Sequence, residues 1–167
     1  MSAQKFTLKR LTKAGIGAAL KKAERYRLLN EPEHAESICL DILEVEPSNQ
    51  EALHNLILSI ADQFAISGAA RPRRALECAA LIQDEYQRLY LTGLIHEREG
   101  RALLKRPMGS RAAAYECFRA AMEAYEEAES IRPEGIDDTI LRWNSCVRII
   151  ERESLEPAPY EMEMHLE

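Results

Sequence analysis

Apolar residues recur along this chain at helical intervals, and prolines, glycines and capping residues punctuate them. Between Glu31 and Phe64, Ala35, Ile38, Cys39, Ile42 and Leu43 follow one another at steps of three and four, the stripe an amphipathic helix buries. Pro32 suits the first turn of that helix, and Pro47 disfavours helix at Glu46 and so ends it. Ser48 or Asn49 can cap the next helix, which carries Leu53, Leu56, Ile57, Ile60, Ala61 and Phe64 on one side. Upstream, Ile16, Ala19, Ala23 and Tyr26 mark a helix stopping near Asn30, a residue that tolerates the left-handed conformation of a helix end.

Downstream, ISGAARPRR reads as a loop, followed by a fourth helix from about Pro72 with Ala75, Cys78, Ala79 and Ile82 inward. Asp84 is placed to cap a fifth, with Tyr86, Leu89, Gly93 and His96 on one side and Gly100 near its end. Arg106-Pro107-Met108-Gly109-Ser110 breaks the chain. A sixth helix is predicted over Arg111 to Ile131, with Ala114, Phe118, Ala121, Tyr125 and Ala128 inward, and Pro133-Glu134-Gly135 stops it. The seventh runs from about Asp137 to Arg152, with Ile140, Trp143, Val147 and Ile150 inward.

Composition agrees with an all-α chain: Ala, Leu, Glu and Arg are abundant, and runs of β-branched residues are absent. The 167 residues suffice for one sizeable core. The expected organisation is a basic arm over 1–13, a helical domain over 14–152 and an acidic tail over 153–167. Net charge is −6, but unevenly spread: residues 1–30 hold eight Lys/Arg against Glu24 alone, whereas 151–167 hold six Glu against Arg152. No stretch reads as a secretory signal or as a membrane span, so a soluble, cytoplasmic protein is expected. Cys39, Cys78, Cys117 and Cys146 lie far apart within helical patterns, as reduced core residues do.

Catalytic signatures do not assemble. Lys13-Ala14-Gly15-Ile16-Gly17 follows no strand and lacks the rest of a phosphate loop. His96-Glu97 has no second histidine at metalloprotease spacing, and His34, His54 and His165 have no partner three or four residues away. Asp137-Asp138 is accounted for by helix capping and the helix dipole. No metal, no cofactor and no enzymatic activity are expected.

Residues 16–47 resemble one tetratricopeptide repeat. Ala23 and Tyr26 take the small and aromatic places of its first helix, Ala35 the small place opening its second, and Pro47 the closing proline. ILEVEPSNQEALHNL looks like the family's junction between repeats. Ala121, Tyr125, Ala128 and Pro133 repeat the family's second-helix spacing, and Gly93 and Gly100 match the glycine pair of its first helix. Three departures stand out: about six extra residues lie between Phe64 and the Ala75 helix, the proline that should close the second repeat is missing, and about sixteen extra residues precede Ala121 relative to a period of about 34. The longer sixth helix is expected to project from the stack.

The resemblance implies a right-handed superhelical stack of antiparallel helix pairs, about seven helices in all, acting as a non-enzymatic adaptor or scaffold. Carried over from the family, the residues of a concave, protein-binding groove are Lys21, Glu24, Arg27, His54, Asn55, Leu58, Tyr90, Leu91, Leu94, Arg98, Asn144 and Arg148. The expected ligand is a peptide or helix of another protein, with apolar anchors for Leu58, Tyr90, Leu91 and Leu94 and acidic groups for the arginines. The family's carboxylate clamp is not reproduced: Asn55 matches one place, but Leu20, Glu24, Gln87 and Leu91 hold the others. The acidic tail, with Tyr160, Met162 and Met164, has the composition of an internal ligand for that groove. The alternatives are a self-assembling homodimer, and association with nucleic acid or a membrane surface through Lys5, Lys9, Arg10, Lys13, Lys21 and Lys22. Nucleic acid is the less favoured partner, since a charged run is more often a solvated face.

Overall fold

A computed structural model describes residues 5–66, 71–106 and 110–159. They form seven α-helices and no strand: α1 (Ile16–Leu28), α2 (Pro32–Val45), α3 (Gln50–Ala61), α4 (Arg71–Ala79), α5 (Glu85–Leu104), α6 (Arg111–Glu129) and α7 (Asp138–Glu153), with a short 3-10 turn at Lys13–Gly15 before α1. The predicted punctuation operates as residue chemistry requires. Asn30 adopts φ +61° after α1. The Asn49 side chain accepts a hydrogen bond from the Ala52 amide at 2.9 Å, and Asp84 accepts one from the Gln87 amide at 2.8 Å. Asp137 departs from expectation. It makes no side-chain cap bond and pairs instead with Arg132, leaving Asp138 in the first turn to complement the helix dipole.

Each helix packs against the next along the chain, and α3 also touches both α1 and α5, so these three helices neighbour one another. The core runs through this stack in three clusters. The first joins α1–α5 around Leu56, Ile57, Ile60, Ala75 and Leu91. The second joins α6 and α7 around Phe118, Tyr125, Cys146 and Ile149. The third ties Ile16 and Ala19 to Ile42 and Ala52.

The pairing of α5 with α6 is the most extensive of all. A Cβ at Gly93 would lie 2.5 Å from the Tyr125 ring, and one at Gly100 would lie 3.0 Å from the Phe118 ring. Position 93 thus meets 125 while 100 meets 118, which makes the two helices antiparallel and lets their axes approach where side chains are absent. Since α5 has 20 residues and α6 has 19, the extra residues before Ala121 lengthen both helices together. The sixth helix, expected to project from the stack, thus has in α5 a neighbour of nearly equal length packed along it.

Two inward faces also differ from expectation. Along α7 the fully buried residues are Thr139, Cys146 and Ile149, whereas Ile140, Trp143, Val147 and Ile150 are half-buried, so the buried stripe is shifted by one position. Along α5, Leu91, Leu94 and Ile95 are buried as well as Tyr86, Gly93 and Gly100, because α3 and α4 cover one side and α6 the other. The descending end of the chain docks on the second cluster through Leu155, with Ser154 at φ +50° making the bend. Tyr160, Met162 and Met164 lie outside the described residues, as do Pro107, Met108 and Gly109 of the predicted break.

Candidate functional site

Two carboxylates, one just past α3 and one on α5, each gather two guanidinium groups. Asp62, one residue past α3, accepts from Arg27 of α1 at 2.9 Å and from Arg98 of α5 at 2.6 Å. Glu97 of α5 is fully buried, accepts from Arg142 of α7 at 3.1 Å and lies 3.6 Å from Arg101 one helical turn along. Burial by itself would weaken the charge on Arg142, but Glu97, Tyr90 and Tyr125 together outweigh it and raise the guanidinium pKa. Tyr125 donates to the same carboxylate at 3.4 Å, and burial followed by the Glu97 charge pushes its phenol well above the ordinary range. Arg101 is braced from α7 as well, donating to Ser145 at 3.3 Å.

These residues border a cleft of about 290 Å³ lined by Ala61, Asp62, Phe64, Ala65, Arg98, Arg101, Ala102, Lys105 and Arg142. Its floor is apolar, and its walls set four cations against one carboxylate. Lys105 is exposed and takes part in none of the ion pairs among the described residues. The local reason for this wall is plain along α5: Arg98, Arg101 and, at its C-cap, Lys105 stand at i, i+3 and i+7, one face of the helix. The anchors hold the arginine forks in place while the side chains of Arg98, Arg101 and Arg142 keep 28%, 41% and 34% of their surface.

No protein-family model, curated protein or solved structure matches this chain.

The residues carried over for a groove divide among several places. Arg27 and Arg98 meet at Asp62 and are therefore already partly neutralised. Leu91 and Leu94 are at 0% and 3% exposure in the first core cluster, where α3, α4 and α6 cover α5, so neither can line an open groove. Asn55 and Leu58 are buried at its margin. Tyr90 is half-buried, with ring contacts to Tyr86 and Tyr125. His54 faces a different depression, beside Gln50, Ile82 and Gln87. Lys21, Glu24 and Arg148 are exposed, and Asn144 is half-buried.

Sequence reasoning passed over Asp62, Glu97, Arg101, Lys105 and Arg142. The basic stripe of α5 was the available signal. That Glu97 would anchor two cations was not, since one of them lies 45 residues away.

The remaining reactive groups are subdued. All four cysteines are free, and burial raises the thiols of Cys39, Cys117 and Cys146 to about 12. Among the described residues no group of three His, Cys, Asp or Glu side chains is placed to hold a metal ion, and no helix is long and apolar enough to cross a membrane.

Proposed function

We propose that this chain is a tetratricopeptide-repeat-like adaptor, a right-handed superhelical stack whose odd-helix face binds an acidic segment of another protein. The observation that carries this reading is the cationic cleft: four basic side chains around an apolar floor, with their arginines pre-positioned by Asp62 and Glu97. Preorganised arginine forks lower the ordering cost of capturing a carboxylate. Among the apolar lining residues the exposed Ala65 offers a partner's apolar side chain a contact. The close approach of α5 to α6 at Gly93 and Gly100 supports the repeat-like packing, since small residues opposite aromatic ones are what that packing uses.

Binding is favoured over catalysis by the chemistry of the cleft. Arginines keep their protons at neutral pH and so neither give nor take one. The carboxylate that Arg101 and Arg142 share, Glu97, is fully buried. The partner surface is smaller than the family groove suggests, because Leu91 and Leu94 are spent on the core.

A fluorescein-labelled nine-residue peptide of alternating Leu and Glu tests the reading by anisotropy. It should bind, lose affinity as salt is raised from about 50 to 300 mM, and weaken at least fivefold on Lys105→Glu. Absence of binding, or equal binding by the variant, would contradict it.

A further inference from the structure

We infer that the cleft takes a phosphate monoester carried on a side chain of the bound segment. This deepens, and rests on, the acidic-segment reading.

The stoichiometry of charge leads there. Arg27 and Arg98 share Asp62, and Arg101 and Arg142 share Glu97, so each cluster keeps one uncompensated positive charge. Lys105 adds a third on the cleft wall. A single carboxylate brings one negative charge, whereas a phosphate monoester brings about 1.5 to 2 at neutral pH, with three acceptor oxygens. Two uncompensated clusters and a lysine around one small cleft suit the second group better.

Geometry points the same way. Each wall arginine spends one edge on its internal carboxylate: Arg98 Nη1 on Asp62 Oδ1, Arg142 Nη1 on Glu97 Oε2, and Arg101 Nη2 close to Glu97 Oε1. Guanidinium carries five N–H donors in a planar fork, so donors remain on each for tetrahedral oxygens. Because the anchoring carboxylates sit on α5 and next to α3, the donors are fixed before the ligand arrives.

The volume of about 290 Å³ holds one phosphorylated side chain, with the exposed Ala65 beside its aliphatic stem. A nucleic acid is less well served. The cleft's aromatic residue, Phe64, is 4% exposed and offers no stacking face. The chain as a whole carries −6.

The test compares three labelled peptides of one sequence, Ala-Leu-Glu-Ala-X-Ala-Leu-Glu-Ala, with X as phosphoserine, serine or glutamate, alongside a labelled oligouridylate. The phosphopeptide should bind at least tenfold more tightly than either relative. Lys105→Glu and Arg101→Gln, both at partly or fully exposed side chains, should abolish that preference while leaving the helical circular dichroism unchanged. Equal affinity for the phosphoserine and glutamate peptides would overturn the phosphate assignment and leave the acidic-segment reading standing. A preference that survives both substitutions in folded protein would place the phosphate elsewhere and overturn it too. Failure of all three peptides would remove both readings, and tighter binding of the oligouridylate would replace them with a nucleic-acid site.

Discussion

Glu97 has no exposed surface, yet Arg101, Arg142, Tyr125 and Cys146 all approach its carboxylate. Burying a carboxylate is costly unless charge and hydrogen bonds compensate it, and here the compensation comes from three helices at once. Two histidines sit in the opposite situation. Burial lowers the pKa of His54, helped by the nearby Arg27 and opposed by Glu51. Burial likewise lowers that of His96, with Glu99 opposing. A histidine whose folded pKa lies below its unfolded value of about 6.5 takes up protons more readily when unfolded. Its contribution to stability is therefore complete above that value and is lost as pH falls below it. Glu36, lowered by Arg71 and Gln63 against its own burial, adds its loss only further down, below about 4.5. The melting temperature should thus fall between pH 7.5 and 5.5, and His54→Gln/His96→Gln should fall less. Equal drops for the two proteins would show that the histidines do not govern this window.

At the level of helices, Gly93 and Gly17 give opposite expectations for the same substitution. Glycine to alanine inside a helix ordinarily stabilises by about 0.5–1 kcal/mol. Gly17, exposed in α1 with nothing within 4 Å of an added Cβ, should show that gain. Gly93→Ala should instead cost about 1–3 kcal/mol, because its Cβ meets the Tyr125 ring at 2.5 Å and α5 must move away from α6. Urea unfolding of the two variants measures both signs, and a stabilised Gly93→Ala would refute the close contact.

Helix positions and stops were legible for reasons of this local kind: Pro32 and Pro47 bound α2, and Asn49 and Asp84 cap α3 and α5. Faces were less so. An apolar period names one buried stripe, but α5 is enclosed on two sides, which turned Leu91 and Leu94 from expected groove residues into core. On α7 the small residues Thr139 and Cys146 are buried along with Ile149, and a hydrophobicity pattern gives the first two little weight.

For the molecule as a whole, serial packing of α1 through α7, with α3 touching α1 and α5, aligns residues from distant parts of the chain on one face. Arg27, Asp62, Arg98 and Arg142 belong to four different segments of the sequence, so their meeting is a property of the stack. That is why the cleft was not readable beforehand, although the basic stripe of α5 was. The overall charge of −6 masks it further, since Glu residues elsewhere outweigh a local cluster of cations. The central claim, that this face is where a partner's acidic segment binds, is tested most directly by titrating isotope-labelled protein with the Leu/Glu peptide and following amide and arginine side-chain resonances. The account predicts that the largest shifts fall at Asp62, Arg98, Arg101, Lys105 and Arg142 and shrink as salt is raised. Shifts centred on Lys21, His54 and Arg148, with the cleft unmoved, would contradict it.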